Sequence, residues 1–127
     1  MANYFLVAVG AAAGGVLRYW LTDVAHRVFQ TTFPIGTLAV NVIGSFLIGI
    51  IIYYFDSNDL ISPSMKILLT IGFCGGFTTF SSFSYETLEL FRNSEFLLGI
   101  GNILLNVLLT IAALVFAIIA AKAITRG

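Results

Sequence analysis

The sequence predicts an all-α integral membrane protein with four transmembrane helices, and three observations support this fold class. Hydrophobic residues make up 59% of the 127 residues and charged residues only 9%, whereas a soluble domain carries roughly 25% charged residues. The mean hydropathy is +1.02. The six basic and six acidic side chains fall into clusters that leave long apolar stretches between them. A chain of this length predicts a single transmembrane domain over residues 1–127.

The same composition excludes several classes of function. Too little polar surface is available to cover a soluble enzyme of this size. Basic and acidic residues cancel, so no basic face is present for nucleic acid. A single cysteine, Cys74, excludes an internal disulfide, and the lone His26 at a helix end gives no catalytic set. We therefore expect no enzymatic activity, no nucleic-acid partner, and a multi-pass protein surrounded by the lipid of the cell membrane.

The charged clusters set the helix boundaries, because a charge at mid-membrane is costly and a span needs about 20 residues. We predict helices over about residues 3–27, 36–55, 66–91 and 96–121. Turn-forming residues occupy the connections, among them Pro34, Pro63 and Asn93. Basic residues are divided almost equally between the two sides, so the positive-inside rule gives no orientation. Two interpretations remain: the chain has too few charges to bias insertion, or it inserts both ways and forms an antiparallel pair.

The first, second and fourth helices carry patterns that indicate contact with protein. In the first, Gly10 and Gly14 form a G-x-x-x-G pair, which predicts close helix packing. Polar residues recur every four positions in the other two helices: Thr37, Asn41 and Ser45 in the second, and Asn102, Asn106 and Thr110 in the fourth. Such stripes lose free energy in hydrocarbon. They indicate either hydrogen bonds between helices or, as we favour, the lining of a pathway.

The third helix contains a segment that is unfavourable for a continuous helix. Gly75 and Gly76 precede two threonines and a run of serines, and glycine costs about 1 kcal/mol relative to alanine in a helix. We predict a break at the glycine doublet rather than a simple kink, with Thr or Ser capping the restarted helix. A mid-membrane break frees carbonyls, which are ligands for hard cations, and amides, which favour anions.

The segment Gly72–Glu86, GFCGGFTTFSSFSYE, closely resembles the signature of the Fluc (CrcB) fluoride channel family. The resemblance extends to Gly14-Gly15 with Arg18 in the first helix and to Gly36–Asn41 in the second, in the same order. It covers essentially the whole chain. Cys74 and Ser82 depart from the motif, but both are small.

The resemblance implies a fluoride-selective channel for passive fluoride efflux, which lowers the toxicity of fluoride in the cytoplasm. It implies an antiparallel, dual-topology homodimer with two pores. A structural sodium ion that is not transported is expected at the dimer centre, on the backbone carbonyls of Gly75 and Thr78. The implied fluoride pore comprises Asn41, Thr79, Phe80, Ser81 and Phe83. The resemblance also implies a polar track along the fourth helix, formed by Asn102, Asn106 and Thr110, and a vestibule or anchoring role for Arg18.

The alternative is a small multidrug exporter, which also has about four short spans and can adopt dual topology. Proton-coupled export of a cation requires an acidic residue deep in a helix, usually the first. Here Asp23 lies near the end of the first helix and Glu86 near the end of the third. A structural subunit of a larger membrane complex is a second alternative, and an absence of ion flux through the purified protein would favour it.

Overall fold

The computed structural model describes residues 1–127 and contains four helical stretches long and apolar enough to cross a membrane. Helix α1 comprises Ala2–Phe29, and α2 comprises Ile35–Asp56. The third stretch, Pro63–Arg92, is interrupted and divides into α3 (residues 63–77) and α4 (Phe80–Arg92). Helix α5 comprises Phe96–Arg126. The all-helical, four-span fold predicted from the sequence is confirmed.

Local chemistry explains where the helices begin and end. Gln30 takes the left-handed conformation that closes α1, with φ of 41°. The Ser62 hydroxyl accepts a hydrogen bond from the Met65 amide at the start of α3, and Pro63 occupies the first helical position. Helix α5 continues past residue 121, the predicted end, through Lys122 to Arg126. Cationic side chains stabilise the carboxyl end of a helix, so Lys122 and Arg126 help to keep the last turns of α5 helical beyond the apolar stretch.

Two helical segments are wider than an ordinary α-helix. Ile51–Asp56 at the end of α2 and Leu68–Cys74 within α3 are both π-helical. Such segments insert an extra residue per turn and are frequent near functional sites. The second of them leads directly into the interrupted part of the third span.

Helices α1 and α3 pack through glycines, as predicted from Gly10 and Gly14. A Cβ atom at Gly14 would overlap the Phe73 carbonyl oxygen and lie 2.8 Å from the Phe77 nitrogen. From the opposite side, a Cβ at Gly76 would lie 2.5 Å from the Ala11 carbonyl oxygen. The two backbones are therefore in direct contact, and no side chain can be inserted between them.

The third span is interrupted, but not at the glycine doublet where the sequence predicts a break. Gly75 is helical, with φ −63° and ψ −39°, and Gly76 continues the helix. The extended residues are Thr78 (φ −86°, ψ 159°) and Thr79 (φ −152°, ψ 121°). The prediction of a break at the glycine doublet is wrong by about one helical turn. Gly76 instead permits the close contact with α1, while Thr79 supplies the side-chain cap that allows the helix to restart.

Candidate functional site

The interruption between α3 and α4 is stabilised mainly by side chains. The Thr78 amide and hydroxyl both donate to the Cys74 carbonyl, at 3.0 and 2.8 Å, and close α3. The Thr79 hydroxyl accepts from the Ser82 amide at 3.2 Å and caps α4. From α2, Asn41 bonds to both backbone groups of Thr79: its Oδ1 accepts from the amide at 2.8 Å and its Nδ2 donates to the carbonyl at 3.1 Å. Asn41 therefore replaces two backbone partners that a continuous helix would supply.

Two backbone carbonyls lose their helical partners at this break. In a continuous helix the Thr79 amide would donate to the Gly75 carbonyl, but here it donates to Asn41. The Thr78 carbonyl accepts no hydrogen bond from the chain. Gly75 is exposed and Thr78 half-buried in the single subunit. These are the two residues that the resemblance implies as sodium ligands, and both offer carbonyl oxygens with unused capacity.

A continuous hydrogen-bond network joins α2, α4 and α5 behind the break. Asn41 donates to Asn106 Oδ1 at 3.0 Å, and Asn106 donates to Asn102 Oδ1 at 2.9 Å. Asn102 is completely buried and donates to the Thr87 hydroxyl at 2.9 Å. The polar stripes on the second and fourth spans thus face each other. In this structure both amide hydrogens of Asn41 are engaged by protein acceptors.

A groove of about 340 Å³ runs past the break, beside this network. Asn41, Thr79, Phe80 and Phe83, which were assigned to the pore from the resemblance, contribute to its lining. Asn106 and Thr110 of the implied polar track do so as well. The groove is therefore lined by amide and hydroxyl groups together with aromatic rings.

The two aromatic rings differ in how they meet the groove. Phe83 is buried, whereas Phe80 is 78% exposed in the single subunit. Their ring centroids are 5.3 Å apart, and the ring planes are inclined by 56°. A tilted pair presents ring edges, which carry partial positive charge, in different directions. Both rings line the groove, and their edges point in different directions.

A second pocket, which we call the vestibule, has a volume of about 340 Å³ and shares Thr79 with the groove. Arg18, Thr37, Ser82 and Glu86 are among the residues that line it. Arg18 Nε donates to the Gly76 carbonyl at 3.0 Å, so α1 is also fixed to the end of α3. The Thr37 hydroxyl donates to Glu86 Oε1 at 2.8 Å, whereas Glu86 Oε2 is buried without a partner.

The structure thus brings most of the sequence-predicted site residues together, but not all of them line one cavity. Asn102 lies in the network behind the groove, Ser81 lies 3.3 Å from the Thr79 hydroxyl, Arg18 lines the vestibule, and Gly75 lies one turn before the break.

The sequence predicts no role for Thr87 and no pore role for Ser82. Thr87 follows Thr79 and Phe83 at intervals of four, and this spacing already places all three on one helix face.

Acidic, histidine and cysteine side chains do not form a metal site. No group of three or more of them is close enough to hold an ion. The uncommitted carbonyls of Gly75 and Thr78 are the oxygen ligands that the break itself offers. A hard cation bound here would therefore be held by backbone oxygens.

Comparisons with known proteins give the family to which this chain is similar. The family model described as "CrcB-like protein, Camphor Resistance (CrcB)" matches residues 5–118. A protein from Dehalococcoides mccartyi named "Fluoride-specific ion channel FluC" is 45% identical over 109 residues, which are 86% of this chain and 84% of the relative. A protein of the same name from Geotalea uraniireducens is 42% identical over 124 residues, covering 98% of this chain and 100% of the relative. Another, from Koribacter versatilis, is 37% identical over 115 residues, or 91% of each chain.

Proposed function

The chain belongs to the CrcB family, and from this premise we propose that it is a fluoride-selective channel through which fluoride leaves the cell passively. The protein is a multi-pass membrane protein of a family of ion channels, not of enzymes. The observation that carries the proposal is the groove at the broken helix, which is lined by polar side chains together with Phe80 and Phe83.

Selectivity for fluoride follows from what the groove can offer a small, strongly hydrated anion. A pore must replace water with donors and still allow the ion to leave. Ring edges are weak partners, which favours release, whereas hydroxyl and amide groups bind more strongly. The Ser82 hydroxyl accepts from Thr79 at 3.2 Å and keeps its own hydrogen free at the vestibule. In contrast, an Asn41 amide hydrogen becomes available to fluoride only by exchange with Thr79 or Asn106.

Fluoride flux through the purified protein tests this function. In liposomes loaded with fluoride, the protein should release fluoride down its gradient, without a proton gradient, as measured with a fluoride electrode. Proton-driven uptake of an organic cation would instead support the multidrug exporter. Asp23 does not supply the free acidic residue in the first helix that this exporter would use, because it is paired with Arg27 at 2.9 Å near the end of α1. Absence of any flux would favour a structural subunit and contradict the channel.

The broken helix also supports an antiparallel homodimer with a structural sodium ion at its centre. One subunit offers two uncommitted carbonyls, at Gly75 and Thr78, and two copies would offer four. Ile71, Gly75 and Phe80 are exposed on the single subunit around the break, so a second copy could cover them. The carboxyl end of α3 carries partial negative charge, which favours a cation there. When bound, sodium would add positive potential near the anion path.

Replacing Gly75 with valine tests the proposed sodium site. A Cβ atom at Gly75 has only the Thr70 carbonyl oxygen nearby, at 3.9 Å, so the subunit itself should tolerate the change. We expect Gly75→Val to weaken dimer assembly or to remove the sodium dependence of fluoride flux, because the side chain would intrude between two subunits. Light scattering in detergent and flux measured with and without sodium check this. Gly101→Val is the matched control, since a Cβ there meets nothing within 4 Å. An unchanged sodium requirement in Gly75→Val would contradict the site.

Replacing Phe80 with isoleucine tests the role of the ring edges. Isoleucine keeps the apolar character of the position but has no positive edge, so we expect fluoride efflux to fall by roughly tenfold, a loss of about 1.4 kcal/mol. Assembly should persist, because isoleucine keeps an apolar side chain at the face that a second copy would cover. Phe5→Ile, at a ring 70% exposed on α1, is the control and should keep wild-type flux. Full flux in Phe80→Ile would exclude a pore role for this ring.

A further inference from the structure

We propose that the pocket formed by the ends of α2 and α5 binds the phosphate of an anionic phospholipid headgroup. This pocket has a volume of about 300 Å³ and lies apart from the groove and the vestibule. It is lined by Tyr53, Ser57, Asn58, Lys122, Thr125 and Arg126. The lining thus contains two cations and no acidic side chain.

The distribution of ion pairs singles out this pocket. Three basic side chains are neutralised by nearby carboxylates: Arg27 by Asp23 at 2.9 Å, Lys66 by Asp56 at 2.7 Å, and Arg92 by Glu89 at 2.9 Å. Arg18 bonds to the Gly76 carbonyl. Lys122 and Arg126 are the remaining basic side chains, and neither has a hydrogen-bond or ion-pair partner in the chain. Both lie in the same pocket.

The donors left free in this pocket suit a phosphate group. Ser57 and Thr125 use their hydroxyl hydrogens on the Ile52 and Ala121 carbonyls, at 2.9 and 2.8 Å. The ammonium of Lys122, the guanidinium of Arg126 and the phenol of Tyr53 donate to no protein atom. A planar guanidinium fork beside an ammonium group is a common arrangement for binding phosphate oxygens.

The position of the pocket along the helix favours a lipid over a dissolved anion. Lys122 lies about 39 Å along α5 from Phe96, and the hydrocarbon core is about 30 Å thick. The two cations are therefore at the depth of the lipid phosphates when Phe96 is at the opposite boundary. Tyr53 is 42% exposed beside them, and tyrosine is enriched at this level of the bilayer. Basic pockets at helix ends attract anionic headgroups.

A purely structural role is the alternative, since cations at the carboxyl end of α5 also complement the helix dipole. That role requires no ligand and predicts no preference among lipids. Binding of lipids of different charge therefore separates the two explanations, and neither outcome depends on whether the protein conducts fluoride.

Native mass spectrometry of the detergent-purified protein, mixed with phosphatidylglycerol and phosphatidylcholine, tests the proposal. We expect the wild type to retain phosphatidylglycerol preferentially. The double variant Lys122→Gln/Arg126→Gln should bind it at least tenfold more weakly, because each cation near an anionic surface contributes about a fivefold factor. The control is Arg27→Gln/Arg92→Gln, which removes the same charge from exposed, paired positions and should keep the preference.

Three results would overturn the proposal. The first is equal retention of phosphatidylglycerol by the two double variants. The second is its complete displacement by millimolar inorganic phosphate, which would assign the pocket to a dissolved anion. The third is a loss of thermal stability in Lys122→Gln/Arg126→Gln with unchanged lipid binding, which would leave only the helix-end role.

Discussion

Replacing Asn41 with alanine is expected to lower fluoride efflux by tenfold or more, the factor that corresponds to about 1.4 kcal/mol. Asn41 makes three hydrogen bonds at the break: two with the Thr79 backbone, at 2.8 and 3.1 Å, and one with Asn106, at 3.0 Å. Alanine leaves the buried Thr79 amide without a partner, which costs about 1–3 kcal/mol of stability. Flux in proteoliposomes and thermal unfolding in detergent measure the two effects.

Two further variants bracket the result for Asn41→Ala. Asn41→Asp keeps the oxygen that accepts from Thr79, but its second oxygen would face the Thr79 carbonyl and Asn106 Oδ1, which are both acceptors. We expect it to be no more stable than Asn41→Ala and to conduct poorly, because it also adds negative charge beside the proposed anion path. Asn58→Ala removes an exposed asparagine that bonds only to the Tyr54 carbonyl, so its flux should stay at the wild-type level. Wild-type flux in Asn41→Ala would exclude the residue from the pore.

Replacing Gly14 with alanine is expected to cause the largest loss of stability, about 3 kcal/mol or more. The added Cβ would overlap the Phe73 carbonyl oxygen and approach the Phe77 nitrogen to 2.8 Å. Both neighbours are backbone atoms, so neither can rotate away, and α1 must separate from α3. The folded fraction after extraction, followed by size-exclusion chromatography across a temperature series, measures this loss.

The adjacent glycine provides the control for that experiment. A Cβ at Gly15 meets nothing within 4 Å, so Gly15→Ala should be neutral or stabilising by up to about 1 kcal/mol, through the helix preference of alanine. Equal stability of the two variants would mean that α1 and α3 are not in the close contact described here. Gly76→Ala should resemble Gly14→Ala, because its Cβ would lie 2.5 Å from the Ala11 oxygen.

The spans could be predicted from the sequence because the cost of burying charge acts on each residue separately. The clustering of charged side chains located all four membrane-spanning segments, including the connections at Pro34 and Pro63. Helix ends were less predictable. The thickness of the bilayer determines the length of the apolar stretch, but a helix can continue beyond that stretch into water. Helix α5 does so and ends at Arg126.

The exact position of the break could not be predicted from local preference alone. Glycine is a poor helix former, so local preference predicts the discontinuity at Gly75 and Gly76. In the fold, Gly76 remains helical because it contacts Ala11, which is distant in sequence. The interruption falls at Thr79, where Asn41 replaces the lost backbone bonds. Sequence spacing predicted that Asn41 faces protein, but it could not identify the residue that Asn41 bonds.

Sequence spacing also left open whether the polar stripes bond to each other or line a pathway. Asn41 and Asn106 do both, because they bond to each other and also line the groove. The assignment of individual pore residues came from the family resemblance and stays a prediction. Dimerisation, the sodium ion and fluoride selectivity are properties to be measured by the experiments above.

The bond between Arg18 and the Gly76 carbonyl has a consequence for which amino acids this position can accept. A guanidinium has five N–H groups, and the bond to Gly76 uses only the one on Nε. Four remain on the same side chain at the vestibule. Lysine has a single nitrogen, so its ammonium group would have to either bond to the Gly76 carbonyl or place positive charge in the vestibule. Arginine can do both, because its Nε bonds to Gly76 while its other N–H groups remain available at the vestibule. Replacing Arg18 with lysine would therefore keep the charge but lose one of these two roles.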